Sequence, residues 1–178
     1  HLQLSGAKKM KVPLATVTSA TARKGVLSVR SGNISFTLAL GEAAATLWAK
    51  KILNPPTLAS KLGIKSDTTV VMVGKLPPEI VAAGAEASSS RHLAKLPSVF
   101  AASVSLVALP LTKEEATIKA VAARLEPGEA VWFVYEKGTP FNGDTVIAAA
   151  RKAGLKDTKV SRVSDNHAAL RFIPGARQ

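Results

Sequence analysis

The residues best placed to hold a charged ligand sit where runs of strand-forming residues end: Gly74-Lys75, Ser90-Arg91, Pro110-Leu111 and Glu136-Lys137. In an open sheet of alternating strands and helices, the ligand crevice lies outside the carboxyl ends of the parallel strands. Lys75, Arg91 and Lys137 are therefore expected to converge on one rim with Glu136 as the only acid nearby, a candidate site for a phosphate or carboxylate. Other groupings that could do chemistry have simpler structural readings. Glu114 and Glu115 resemble a carboxylate pair but fall in a helix's first turn, where they favour the helix dipole. His167, beside Asp165 and Asn166, invites an acid/base role but reads as a hydrogen-bonded turn residue at the start of a strand. Ser88-Ser89-Ser90 reads as a polar strand end. The chain has no G-x-S-x-G elbow, no phosphate-binding P-loop and no H-E-x-x-H. With no cysteine and three scattered histidines, His1, His92 and His167, it offers no metal site and no thiol chemistry.

The elements that must position these residues follow from periodicity. Leu2 and Leu4 alternate, as do Met10, Val12 and Leu14 against Lys9 and Lys11, so both stretches read as half-buried strands. VLSVR and ISFTLAL flank Ser31-Gly32-Asn33 and predict a hairpin burying Leu27, Val29, Ile34, Phe36 and Leu38. EAAATLWAKKIL places Ala44, Leu47, Trp48 and Ile52 at helical spacing, so Trp48 reads as core, and Asn54-Pro55-Pro56 ends the helix. TTVVMVG, ASVSLVALP and EAVWFVYEKG are continuous apolar runs, expected of strands covered on both faces. Between them Thr112 and Glu115 fit a capping box opening a helix through Arg124. A further helix is expected over 144–153, with KVSRV and HAALRFI as an antiparallel pair behind it. The expected architecture is α/β: a small antiparallel sheet with a closing helix over residues 1–54, then a Rossmann-like sheet over 55–178.

Composition bounds the function classes. The 178 residues carry 24 Lys and Arg against 12 Asp and Glu, a formal charge of +12. Eight of the cations and a single acid precede residue 58. Lys8, Lys9, Lys11, Arg23 and Lys24 are thus a candidate basic surface for nucleic acid or an anionic surface, through phosphate contacts. An aromatic content of 4% argues against base stacking. The longest uncharged stretch, residues 96–112, holds two prolines and three serines, which makes it a buried strand with its approach and not a membrane span. The chain opens on His1 inside an expected strand, so it reads as a fragment lacking its first residues, and the absence of cysteine fits a cytoplasmic setting.

The path through VVMVG, SVSLVALP, ARLEPGEAVWFVYEKG and AARKAGLKDTKVSRVSDNHAALRFI resembles the sheet of class I S-adenosylmethionine methyltransferases. TLASKLGIKSDTTVVMVG with AVWFVYEKG and NHAALRFIP resembles, more closely, an uncharacterised bacterial family of short methyltransferase-like domains, over roughly residues 56–174. VRSGNISFTLALGEAAATLWAKKILNPP resembles the basic, pleckstrin-homology-like module that precedes the domain in some members. The resemblance implies a fold but no assigned activity. Its cofactor positions depart from the methyltransferase pattern. The turn Gly74-Lys75-Leu76-Pro77-Pro78-Glu79 has one glycine and two prolines that lack donors, and no Asp or Glu ends the second strand. Ala108-Leu109-Pro110-Leu111-Thr112 stands where nucleobase methyltransferases carry an Asn/Asp-Pro-Pro-Tyr loop. The sequence therefore predicts a non-catalytic binding or adaptor protein without a cofactor, with a phosphate-bearing ligand, nucleic acid, anionic surface or protein as partner. The alternative is an S-adenosylmethionine-dependent methyltransferase with an atypical cofactor loop, or a sequence-independent binder of nucleic acid or an anionic surface.

Overall fold

A computed structural model describes residues 2–4 and 10–175. The chain forms two compact units, His1–Pro56 and Thr57–Gln178.

In the first unit β1 (Leu2–Leu4) pairs antiparallel with β2 (Met10–Val12). A three-stranded antiparallel sheet follows, in the order β3 (Val17–Arg23), β4 (Val26–Ser31), β5 (Ile34–Ala39). Strand β3 has no counterpart in the expected elements, because its Thr, Ser and Ala residues give weak hydropathic contrast. Its inward residues Ala20 and Ala22 lie opposite Val29 and Leu27. The expected hairpin forms and buries Leu27 and Val29, but Ile34, at the tip of the edge strand β5, is 45% exposed.

Helix α1 (Glu42–Leu53) packs on this sheet through Ala45, Ala49 and Ile52. The expected stripe through Leu47 and Trp48 is displaced: Leu47 is 51% and Trp48 44% exposed. The reason is steric. Alanines on both surfaces, Ala45 and Ala49 facing Ala20 and Ala22 in one cluster, let helix and sheet approach closely, and an indole at that contact would force them apart.

The second unit begins with α2 (Leu58–Leu62), capped by Thr57, whose Oγ1 accepts from the Ser60 amide. Its sheet has the order β7 (Ser89–Leu93), β6 (Thr69–Val73), β8 (Val104–Ala108), β9 (Val131–Glu136), β11 (His167–Pro174), β10 (Leu155–Arg162). The first four strands are parallel, and β11 runs antiparallel to both β9 and β10. The expected Rossmann-like, methyltransferase-like sheet with an antiparallel C-terminal pair is thus the fold.

Helices α3 (Pro78–Gly84), α4 (Glu114–Ala122) and α5 (Gly143–Lys152) complete the unit. The cap of α4 is Lys113, without a side-chain bond, so the expected Thr112 capping box does not form. Asn142 caps α5, its Oδ1 accepting from the Asp144 and Thr145 amides.

Both sheet faces are covered, which explains the continuous apolar strands. Val71, Val73, Val107, Phe133 and Phe172 form one core with Ile118 of α4 and Val146 of α5. Val70, Met72, Leu106, Trp132 and Val134 form the other with Leu62 of α2 and Ile80 of α3. The Phe133 and Phe172 rings pack tilted at 5.4 Å, a contact that contributes about 1 kcal/mol beyond burial. Trp132 satisfies its buried indole N–H on the Leu62 carbonyl at 3.0 Å, and Lys159 Nζ donates to the neighbouring Lys61 carbonyl at 2.6 Å. These two bonds serve carbonyls at the C-terminal end of α2, which intrahelical amides leave free.

Candidate functional site

The chain passes from β6 outward to β7 and then back across β6 to β8, so the sheet reverses direction between β6 and β8. Strand ends diverge there and leave a crevice. The turn after β6 is held firmly. Gly74 takes φ +81°, and a Cβ on it would lie 3.2 Å from Ala108 Cβ, so close packing against β8 requires glycine. Its amide donates to the Leu93 carbonyl at 2.9 Å, and its carbonyl meets His92 Nε2 at 2.7 Å, which assigns that nitrogen as the donor.

Beyond this turn a cleft of about 630 Å³ opens on the α3 side of the sheet. Pro77, Leu109, Pro110 and Leu111 supply apolar walls; Lys75, Glu79 and Glu136 supply charge; Ser164, Asn166 and His167 close the far side. Glu136 and His167 are direct partners across β9 and β11, so their side chains leave the same face of the sheet. Ser164 orients the histidine: its Oγ lies 3.3 Å from His167 Nδ1 and accepts from the His167 amide at 3.1 Å. His167 is thus both the expected hydrogen-bonded turn residue and part of the cleft wall. A smaller cleft of about 290 Å³ lies on the other side of the ridge formed by Gly74, Lys75 and Ala108–Pro110, with Ala94, Leu96 and Thr117 in its wall.

The expected cationic rim is distributed differently. Lys75 lines the cleft. Arg91 does not stand at a strand end: β7 runs on to Leu93, and Arg91 lies in mid-strand opposite Val71. Lys137 turns away to the β10–β11 connection, where Nζ donates to the Ser164 and Asp165 carbonyls at 2.8 and 3.2 Å. The three cations therefore do not line one cleft. Glu79, at the edge of the expected turn, joins Glu136 instead, and the cleft's charged lining becomes two carboxylates and one ammonium. Sequence reasoning left Glu79 without a role; the signal available was its place in the first turn of a helix that begins directly after the crevice turn.

Of the candidate basic surface, Lys8 and Lys9 lie outside the described residues. Lys11, Arg23 and Lys24 are exposed, with Lys24 (φ 47°) and Gly25 (φ 77°) forming the two-residue turn between β3 and β4. Among the described residues no cluster of three or more His, Asp or Glu could hold a metal, and no helix is long and apolar enough to cross a membrane.

No family model and no curated protein matches the chain in sequence. Solved structures of similar fold include a TehB-like SAM-dependent methyltransferase from Corynebacterium glutamicum, 9% identical, with 75% of this chain and 97% of that one covered and a TM-score of 0.43. The DhpI complex with SAH is 12% identical, with coverages of 75% and 90% and a TM-score of 0.48. The cyclase SpnF is 10% identical, with coverages of 73% and 84% and a TM-score of 0.43.

Proposed function

We propose that the Rossmann-like unit binds S-adenosylmethionine, or a small zwitterion of its charge pattern, in the cleft after β6 and β8, as a methyltransferase with an atypical cofactor loop. The observation that carries this reading is the cleft's charged lining: Glu79 and Glu136 with Lys75, in place of three cations. A sulfonium and an ammonium are favoured by the two carboxylates, and the ligand's own carboxylate by Lys75. A free phosphate, which a cationic rim would have suited, is disfavoured beside two carboxylates.

The residues fit the charged, amino-acid end of such a ligand better than its ribose. Strand β7 ends at Leu93 and is followed by Ala94-Lys95, with no carboxylate for a ribose diol, and Pro77 and Pro78 offer no amide to the crevice. When bound, S-adenosylmethionine supplies an electrophilic methyl group on a positively charged sulfur. The chain's own part is to hold that charge beside Glu79 and Glu136 and to exclude water with Pro77, Leu109 and Leu111. His167, its ring fixed through Nδ1 by Ser164, is the group positioned to take the proton released when an O–H or N–H acceptor is methylated.

Calorimetry with S-adenosylmethionine and its demethylated product tests the reading. Binding in the micromolar range is expected, with Glu136→Gln or Glu79→Gln weakening the sulfonium form about tenfold or more and the neutral thioether product much less. Absence of binding at millimolar concentration overturns the reading and leaves a non-catalytic adaptor, the function favoured by the proline-occluded turn. The pleckstrin-homology-like character of the first unit and its link to short methyltransferase-like domains belong to the same proposal.

A further inference from the structure

We propose that the first unit docks on anionic lipid bilayers through the outer face of α1, with Trp48 and Leu47 entering the interface and Lys50 and Lys51 meeting the headgroups. The helix buries Ala45, Ala49 and Ile52 against its own sheet and turns Leu47, Trp48 and Leu53 outward, each between 44% and 51% exposed. Three of the helix's four large apolar side chains, all but Ile52, thus lie outside the core of the unit. Single exposed leucines need no explanation, but Leu47 and Trp48, four and three residues before Lys51, share one stripe of the twelve-residue helix, with Leu53 on its other flank.

The last turn of the helix is basic, and its one acid, Glu42, stands in the first turn. Lys50 and Lys51 occupy the last turn, and Lys51 Nζ stands 5.7 Å from the Trp48 ring. At the other end of the helix the Lys24-Gly25 turn abuts the start of α1, where the amides of Leu40 and Gly41 donate to the Gly25 carbonyl at 2.9 and 3.0 Å. Lys24 is exposed there and Leu40 is 37% exposed, so each end of the helix pairs a cation with an exposed leucine. Glu42 is the only acid before residue 58. A stripe of leucine, tryptophan and lysine, Leu47, Trp48 and Lys51, matches a bilayer interface, where indole and ammonium sit at headgroup depth above the acyl chains. A duplex nucleic acid would use the cations but give the leucines nothing to bury in.

Tryptophan fluorescence isolates the contact, because the only other tryptophan, Trp132, is 2% exposed and hydrogen-bonded in the second unit's core. The full chain is titrated with phosphatidylcholine vesicles with and without phosphatidylglycerol. The expected result is a blue shift of Trp48 emission with the anionic vesicles only. Partitioning should weaken roughly fivefold for each lysine removed in Lys50→Gln and Lys51→Gln, and should fall as salt rises. Trp48→Ala should abolish the shift, and Leu47→Ala should weaken co-sedimentation with vesicles; neither change touches the buried face, so circular dichroism should keep its thermal midpoint. Three results would overturn the proposal: no shift with anionic vesicles, co-sedimentation undiminished in the Leu47→Ala, Trp48→Ala double variant, or an equal shift on adding duplex DNA. A shift that depends on protein concentration without lipid would assign the face to a second copy of the chain instead.

Discussion

Gly74 carries the crevice at the level of a single residue. Its left-handed backbone strains any side chain, and a Cβ there would press to 3.2 Å of Ala108 Cβ. Gly74→Ala should cost about 1–2 kcal/mol of stability from the backbone conformation alone, read as a lowered denaturant midpoint. The bond from the Trp132 indole to the Leu62 carbonyl is as specific: Trp132→Phe keeps most of the apolar volume but loses the donor, and should cost about 1–3 kcal/mol. Arg151 donates to Asp157 Oδ1 from Nε at 2.9 Å and from Nη2 at 2.8 Å, and this bond holds the Asp157 carboxyl below the usual range. A lowered folded-state value means stability that is present above the ordinary carboxylate range and lost as pH falls through the Asp157 value. An Asp157 carboxyl titration by NMR should return to the ordinary range in Arg151→Ala. For Tyr135, burial and then the neighbouring Asp144 charge push the hydroxyl upward, so its contribution is present below the ordinary tyrosine value and is lost as pH rises through its own.

At the scale of elements, apolar runs were informative where both faces of an element are buried. TTVVMVG and EAVWFVYEKG could be placed from composition because inward and outward positions both need apolar side chains. Alternation failed where packing depends on small residues. In β3 the inward residues are alanines and the outward ones Thr and Ser, so the strand has little contrast. In α1 Leu47, Trp48 and Leu53 face outward while Ala45 and Ala49 face inward beside Ile52, largely the reverse of what size suggests. Ile52→Ala should therefore destabilise by about 2–4 kcal/mol, whereas Leu47→Ala should be within about 0.5 kcal/mol of neutral; paired chemical denaturation curves check the contrast. Asn142→Ala removes both side-chain bonds that begin α5 and should cost about 1 kcal/mol. The site was legible in the same partial way. Lys75 and Glu136 could be placed at strand ends by counting along the runs, but Arg91 could not, because Ser89–Leu93 is an exposed polar edge strand whose end no hydropathic change marks. That Lys137 turns to the carbonyls of Ser164 and Asp165 depends on a tertiary contact across 27 residues, which no local pattern reports.

For the molecule as a whole, two compact units divide the chemistry: cations predominate before residue 58, and the cleft with its paired carboxylates belongs to the second unit. Ligand binding that stabilises only the native state raises the unfolding midpoint by mass action, so any cofactor effect should appear in the transition that reports Trp132 and the second core. The most direct measurement is amide NMR of the full chain during titration with S-adenosylmethionine. Saturable shifts are predicted at Lys75, Glu79, Leu109, Leu111, Glu136 and His167, with those at Glu79 and Glu136 diminished for the uncharged demethylated sulfur. Spectra unchanged at millimolar ligand, or saturable shifts centred away from the carboxyl ends of β6, β8 and β9, would contradict the account.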